Sequence, residues 1–131
     1  MKIDVNELLE KIREGVNPFE YVENDSDVDL LSSAIVQQGE EGDPFYNDTA
    51  EMLLKAIIYY LKTNGNEEKS LKRCKEIAEL GTDRSKMDEL FANVDSSNPG
   101  KMYYSNVSIA SDRTYSGVIE VLNKKLSSIV K

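Results

Sequence analysis

Histidine is missing from this 131-residue chain, and cysteine occurs only once, at position 74. Because imidazole is absent, the chain cannot assemble Ser-His or Cys-His nucleophile pairs or histidine metal sites. The single Cys74 excludes an internal disulfide framework and favours a reducing compartment. We interpret this thiol as a small, partly buried side chain on a helix, without a catalytic role.

Long apolar runs are also absent. The most apolar stretch extends from Met52 to Leu61 and contains Lys55, whereas a membrane-spanning helix needs about 20 largely apolar residues. The N-terminal sequence MKIDVNELLEKIREG is charged throughout and therefore lacks the apolar region of a signal peptide. We expect no direct contact between this chain and a membrane.

Phosphate-binding and metal-binding motifs are missing as well. No GxxxxGK[ST] segment occurs, so a phosphate-binding loop of the usual ATPase kind is not expected. Residues 25–29, DSDVD, have the spacing of the first calcium ligands of an EF-hand, but Leu30 and Val36 replace the required glycine and glutamate. We interpret these aspartates as residues at a helix N-terminus. We predict a non-enzyme with no catalytic residue, no metal and no cofactor.

The segment from Asp43 to Lys62, DPFYNDTAEMLLKAIIYYLK, predicts a central helix over about residues 44–62. Asp43 can cap the first turn, and Pro44 suits the first helical position. Polar side chains form one narrow stripe, and apolar side chains, from Phe45 onward, cover the rest of the helix surface. Such a helix needs other helices packed around it.

Helical periodicity and capping signals recur along the rest of the chain, and no segment alternates with the period of a strand. We predict an all-α fold, a compact domain of six to seven helices occupying residues 1–131. The further helices are expected at about residues 5–14, 25–38, 71–80, 84–94, 102–109 and 112–130, with Leu80, Met102 and Ile109 among the inward-facing residues, and residues 95–100 as a turn.

The formal charge of −8 opposes tight binding to phosphate backbones and favours a basic protein partner. Glu40 and Glu41, followed by Asp43, form an acidic loop before the central helix. We predict Glu40 and Glu41 as a partner-binding surface, while a merely solvated loop is the simpler interpretation.

One segment is concentrated in basic residues: Lys69, Lys72, Arg73 and Lys75. These residues are the alternative candidate site, for DNA. Pairs at i,i+4 spacing, Glu68/Lys72, Lys72/Glu76 and Lys75/Glu79, favour a solvated, self-paired helix face instead. The tyrosines at 103, 104 and 115 are interpreted as packing residues rather than base-stacking residues.

Three segments, in this order, carry a resemblance to a known family: VNPFEYV at 16–22, DPFYNDTAEMLLKAIIYYL at 43–61 and YYSNVSIASDRTYSGVIEVLNKKLSSI at 103–129. Together they resemble the all-α domain of type IV secretion coupling proteins, the TraG/TraD-like ATPases of bacterial conjugation. The matching motif positions are Asn17, Pro18 and Phe19; Asp43, Pro44, Phe45 and Tyr46; and Ala110, Thr114 and Ser116.

The resemblance implies a non-catalytic substrate-receptor domain at the cytoplasmic end of a membrane-anchored hexameric motor. Such a domain recognises a relaxase or a basic accessory protein of the DNA-processing complex. Because the family's nucleotide-binding motifs are missing here, we expect the chain to be a domain excised from a larger motor ATPase. Direct DNA binding and a structural role in shaping the hexamer are the alternatives.

Overall fold

A computed structural model describes residues 3–40 and 42–130, with the exception of the Glu40 side chain. Within these residues the fold is all-α, and no strand is present. Short 3₁₀ turns occupy Pro18–Tyr21 and Gln38–Glu40. The helices are α1 (Val5–Arg13), α2 (Asp25–Val36), α3 (Pro44–Thr63), α4 (Leu71–Leu80), α5 (Arg84–Ala92), α6 (Pro99–Ser108) and α7 (Asp112–Ile129).

Helix α3 lies at the centre of the domain, as its sequence predicts. It packs against α2, α4, α6 and α7, so it faces neighbours on most sides. Its buried residues are Asn47, Ala50, Leu53, Leu54, Ala56, Ile57, Ile58, Tyr59 and Leu61. Phe45, predicted to be inward, is 56% exposed, because it lies in the first turn, before the helix enters the core.

The helices begin where short polar side chains can accept hydrogen bonds from free amide groups. Asp4 caps α1 and Asp43 caps α3, both as predicted. Helix α2 begins at Asp25, and its cap, Asn24, forms a reciprocal capping box with Asp27. The DSDVD aspartates therefore stand in the first turns of α2, where carboxylates are stabilised by the helix dipole.

The prediction that Leu80, Met102 and Ile109 face the core is wrong. These side chains are 37%, 59% and 85% exposed. In α6 the buried side chains are instead Tyr104 and Val107. The Tyr104 ring stacks on Phe91 of α5 with 4.5 Å between ring centroids, and Gly100 lies against Tyr59 of α3. These contacts with α3 and α5 set the rotation of α6. Met102 and Ile109 are consequently directed away from the core.

Cys74 lies in α4 and is completely buried, rather than partly buried as the sequence predicts. Burial raises the pKa of its thiol, so the side chain is a neutral part of the core. None of the described helices is both long enough and apolar enough to cross a membrane.

Candidate functional site

The NPF segment connects two distant parts of the chain. The Asn17 side chain accepts a hydrogen bond from the Phe19 amide at 3.1 Å and donates one to the Lys69 carbonyl at 2.7 Å. Pro18 is buried. The segment therefore ties the region of α1 and α2 to the loop that precedes α4.

The DPFY segment begins α3 and sets the spacing between α3 and α7. Asp43 accepts a hydrogen bond from the Phe45 amide at 2.8 Å. Tyr46 lies over Gly117 of α7, where an added Cβ would come within 2.7 Å of the ring. Only glycine fits beneath this ring without displacement. The motif residues thus position helices, and Phe45 alone among them presents an aromatic ring to solvent.

Arg84 contacts several residues of the third family segment, residues 103–129. Its guanidinium donates hydrogen bonds to the carbonyls of Ser108 and Ala110 and forms an ion pair with Asp112 at 2.8 Å. It also lies over the Tyr115 ring, 4.8 Å from the centroid. The end of α6, the beginning of α7 and the beginning of α5 are therefore held by one cation.

Tyr115 completes this junction by donating a hydrogen bond to the Gly81 carbonyl at 2.7 Å. Burial raises the pKa of Tyr115 to about 12, so the hydroxyl keeps its proton. Tyr104 similarly donates to the Asp88 carboxylate. The predicted packing role of these two tyrosines is confirmed. Ser116, by contrast, is exposed.

The structure gives no geometry for the predicted acidic loop site. Glu41 lies outside the described residues, and for Glu40 only the backbone is described, in the turn Gln38–Glu40. Lys125 of α7 donates a hydrogen bond to the Gln38 carbonyl at 3.3 Å just before them. Glu40 and Glu41 remain a prediction.

The predicted basic site is largely self-paired. Arg73 donates two hydrogen bonds to Glu67, at 3.2 and 3.0 Å, and pairs with Glu76 at 3.5 Å. Lys75 pairs with Glu79 at 3.8 Å. The Arg73 guanidinium lowers the pKa of Glu67.

The two remaining lysines of this segment differ from the prediction. Lys69 donates to the Asn64 carbonyl at 3.1 Å. Lys72 is exposed and forms neither of its predicted ion pairs, because Glu76 is occupied by Arg73 and the Glu68 carboxylate accepts from Ser70. Among the described residues, Lys72 is the one base of the four without an ionic or hydrogen-bonded partner.

Sequence reasoning missed how unevenly the acids are distributed. Residues 3–30, called here the acidic segment, hold nine acidic and only two basic side chains, a formal charge of −7. The rest of the chain is nearly balanced. The signal was available in the sequence, but it is spread over α1, the first 3₁₀ turn and α2, so no short window displays it.

Some acids of this segment form hydrogen bonds or ion pairs that hold helices together, and others do not. Asp25 accepts a hydrogen bond from the Tyr59 hydroxyl at 2.8 Å, and Asp29 pairs with Lys55 at 3.2 Å. Burial and the Asp25 carboxylate raise the pKa of Tyr59. The five glutamates of the segment, Glu7, Glu10, Glu14, Glu20 and Glu23, are exposed and form no ion pair within the described residues.

A groove of about 900 Å³ lies between the end of α3, the outer face of α5 and the beginning of α6. We call it the α3–α5–α6 groove. Its walls combine apolar side chains, such as Leu80 and Leu90, with the amides Asn64, Asn93 and Asn98. The sequence shows the last of these only as part of a turn cluster.

Within the described residues, no group of three or more acidic or cysteine side chains is arranged to hold a metal ion. Surface features that can contact a partner include the acidic segment, the α3–α5–α6 groove and exposed apolar side chains such as Phe45 and Ile109.

Residues 4–130 match the profile of a protein family described as type IV secretory system conjugative DNA transfer. Because the match spans nearly the whole chain, the protein belongs to this family and has a role in conjugative DNA transfer. This confirms the resemblance carried by the NPF, DPFY and Ala110–Ser116 segments. No curated protein and no solved structure matches the chain.

Proposed function

We propose that this chain is a non-catalytic substrate-receptor domain of a conjugative coupling protein, which recognises a relaxase or a basic accessory protein of the DNA-processing complex. In this proposal the domain works on the cytoplasmic side of a membrane-anchored hexameric motor. Its family membership supports the setting. The single observation that supports a receptor for basic proteins is the acidic segment, with its exposed, unpaired carboxylates.

The charge distribution favours protein over bare DNA. A field created by −7 charges over residues 3–30 attracts a basic protein surface and accelerates its association. The same field repels phosphate groups, whose binding depends on lysine and arginine contacts. Since Glu20 and Glu23 are exposed and form no ion pair with any described residue, a partner can approach them without first breaking such a pair.

A binding measurement with charge variants tests this function. The immobilised domain is presented at low salt with the purified relaxase and accessory proteins encoded beside its gene. We expect salt-sensitive binding of at least one, weakened about tenfold by the double change Glu20→Lys and Glu23→Lys. The control, Glu79→Lys with Glu120→Lys, alters net charge equally on other exposed positions and should have a smaller effect.

Two results would contradict the proposal. One is no binding of any candidate at low salt by the folded domain. The other is an equal loss in both double variants, which would show that net charge, rather than the acidic segment, governs association. The predicted loop surface is tested in the same assay with Glu40→Lys and Glu41→Lys.

DNA binding through the basic segment is the second candidate, and the unpaired Lys72 is the observation that favours it. Changing Lys69, Lys72 and Lys75 to glutamate, while leaving Arg73 in its ion pairs, removes this surface without breaking the contact with Glu67. Because neighbouring acids neutralise this helix, we expect only weak binding of single- and double-stranded DNA at low salt, in wild type and variant alike. A large loss in the variant would favour DNA binding instead.

A further inference from the structure

Asn64 and Gly65 form the one Asn-Gly pair among the ten asparagines of the chain. The pair directly follows α3, which ends at Thr63, and both Gly65 and the next residue, Asn66, are exposed. Asparagine is thermolabile, because the main-chain nitrogen of the next residue can attack its side-chain carbonyl carbon. A following glycine leaves that nitrogen most accessible, since glycine has no Cβ.

The Gly65 amide is available for this attack. It donates no hydrogen bond to a described residue, and a Cβ added at Gly65 would have no neighbouring atom within 4 Å. Water therefore reaches the amide, and a base in solution can remove its proton. The reaction needs no other protein group.

The turn holds the two reacting atoms apart. Ring closure requires the Asn64 Cβ and the Gly65 nitrogen to lie on the same side of the Asn64 Cα–C bond, but the ψ angle of 106° at Asn64 directs the nitrogen away from Cβ. Hydrogen bonds maintain this angle. The Asn64 side-chain oxygen accepts from the Asn66 amide at 3.0 Å. Its main-chain carbonyl accepts from the Glu67 amide at 3.2 Å and from the Lys69 ammonium at 3.1 Å.

We propose that Asn64 is a site of spontaneous deamidation, which the native turn delays. The Gly65 nitrogen forms a bond to Cγ of Asn64 and gives up its proton, while the Cγ–Nδ2 bond breaks and the nitrogen of the side chain leaves as ammonia. Water then opens the succinimide ring. Addition of water at Cγ yields aspartate, and addition at the main-chain carbonyl yields isoaspartate.

The two products differ in their effect on the loop before α4. Aspartate leaves the main chain unchanged, and its carboxylate can still accept from the Asn66 amide. In isoaspartate the chain runs through Cβ, and the former main-chain carbonyl becomes a carboxylate, so its present contacts with Glu67 and Lys69 are lost. Because the Lys69 carbonyl also accepts the Asn17 hydrogen bond at 2.7 Å, isoaspartate weakens the connection to the NPF segment.

Peptide mapping by mass spectrometry locates the site. The folded domain is kept at mildly alkaline pH and digested at intervals with trypsin, which releases residues 63–69. Fragmentation of this peptide separates Asn64 from Asn66. We expect Asn64 to deamidate before the nine other asparagines, and Gly65→Ala, which the open space tolerates, to slow the reaction about tenfold. Asn123, read in the same digests, is the internal control.

The delaying effect of the turn is measured by loosening it. Deamidation of the domain unfolded in urea should be at least about tenfold faster than in the folded domain. Lys69→Met removes the ammonium group from the Asn64 carbonyl and should accelerate the reaction in the folded domain about fivefold, as the loss of a charged hydrogen-bond donor predicts. Lys72→Met, an exposed lysine without a partner among the described residues, is the matched control and should leave the rate unchanged.

The structural consequence is tested with the separated products. The isoaspartate form should unfold at a lower urea concentration than wild type, whereas Asn64→Asp should unfold near the wild-type midpoint. In an Asn17→Ala background the difference should shrink, because the connection to Lys69 is already missing.

Three results would overturn the proposal. The first is earlier deamidation at another asparagine, or an unchanged rate in Gly65→Ala. The second is an equal rate in the folded and unfolded domain, which would show that the turn gives no protection. The third is an isoaspartate form that unfolds at the wild-type midpoint.

Discussion

The acidic segment and residues 67–79, called here the paired segment, are both rich in charge, but their charges have different neighbours. The paired segment holds four acids and four bases, and Arg73 alone contacts two of those acids. In the acidic segment, acids outnumber bases by nine to two, and side chains such as Glu20 form no ion pair in the part of the chain that the structure describes. Most charges of the paired segment are therefore neutralised by neighbours within the fold, whereas the glutamates of the acidic segment keep their charge accessible to solvent.

This difference shows that a cluster of like charges in sequence is a poor guide to an accessible surface. Four bases within seven residues look like a binding site, yet three of them already have partners in the fold. Acids spread over 28 residues look unremarkable, yet the glutamates among them form no ion pair with any described residue. What a partner encounters is the charge that remains after internal pairing.

The largest expected effect comes from separating the two segments. Asn17→Ala removes both the cap of the first 3₁₀ turn and the hydrogen bond to Lys69. Losing a cap and a long-range hydrogen bond should lower the free energy of unfolding by about 2 kcal/mol, measured by urea denaturation. Asn6→Ala, an exposed position in α1, is the control and should change it by less than about 0.5 kcal/mol. Equal stability of the two variants would show that the connection is unimportant.

Removing an ion pair from the paired segment should lower the free energy of unfolding by a smaller amount. Arg73→Ala leaves the Glu67 carboxylate, whose side chain is 16% exposed, without its cation. We expect unfolding free energy to fall by about 1 kcal/mol, since the pair is only partly shielded from water. Lys72→Ala, in the same helix but without an ion pair, should be nearly neutral. A similar loss in both variants would contradict the distinction between paired and unpaired bases.

Acid should sharpen the comparison, because the ion pair of Glu67 and Arg73 in the paired segment depends on an ionised carboxylate. Arg73 lowers the pKa of folded Glu67, so the pair's contribution is present above the unfolded pKa of about 4.3 and is lost as pH falls through the lower folded value. Wild type should therefore lose more stability than Arg73→Ala between neutral pH and pH of about 3, by less than about 1 kcal/mol. Parallel pH profiles would refute this.

The smallest effect on stability is expected from changes in the acidic segment. Glu20→Gln with Glu23→Gln removes two unpaired charges from a region of like sign, so stability should rise by about 0.3 kcal/mol at low ionic strength. The gain should disappear when salt screens the remaining charges. Thermal unfolding at low and high salt measures it, and a loss of stability at low salt would mean that these carboxylates have partners after all.

Local signals in the sequence were sufficient for most of the helices. Asp43 followed by Pro44, and Ser111 before α7, act on amides within three residues, so the start of each helix is specified where it occurs. The rotation of a helix about its axis is not local. In α6, Met102 and Tyr104 are both apolar enough to be buried, and packing against α3 and the Phe91 ring of α5 decides between them.

The candidate surfaces show the same limit. The pair of Glu67 and Arg73 spans the boundary between a loop and a helix, so the i,i+4 rule cannot predict it. The α3–α5–α6 groove depends on where the ends of α3 and α5 meet, which requires tertiary structure. By contrast, the excess of acids in residues 3–30 could have been counted directly.

The buried Cys74 allows the local opening of the paired segment to be measured through the rate of thiol modification. Its thiol lies on the buried face of α4, and only the thiolate reacts with disulfide reagents. Labelling must therefore wait until α4 moves away from the core, and the chain has no second thiol to obscure the signal. The rate of modification thus measures how often this helix opens in the native protein. It also measures whether a ligand bound to the acidic segment, which Asn17 joins to the loop before α4, slows that opening.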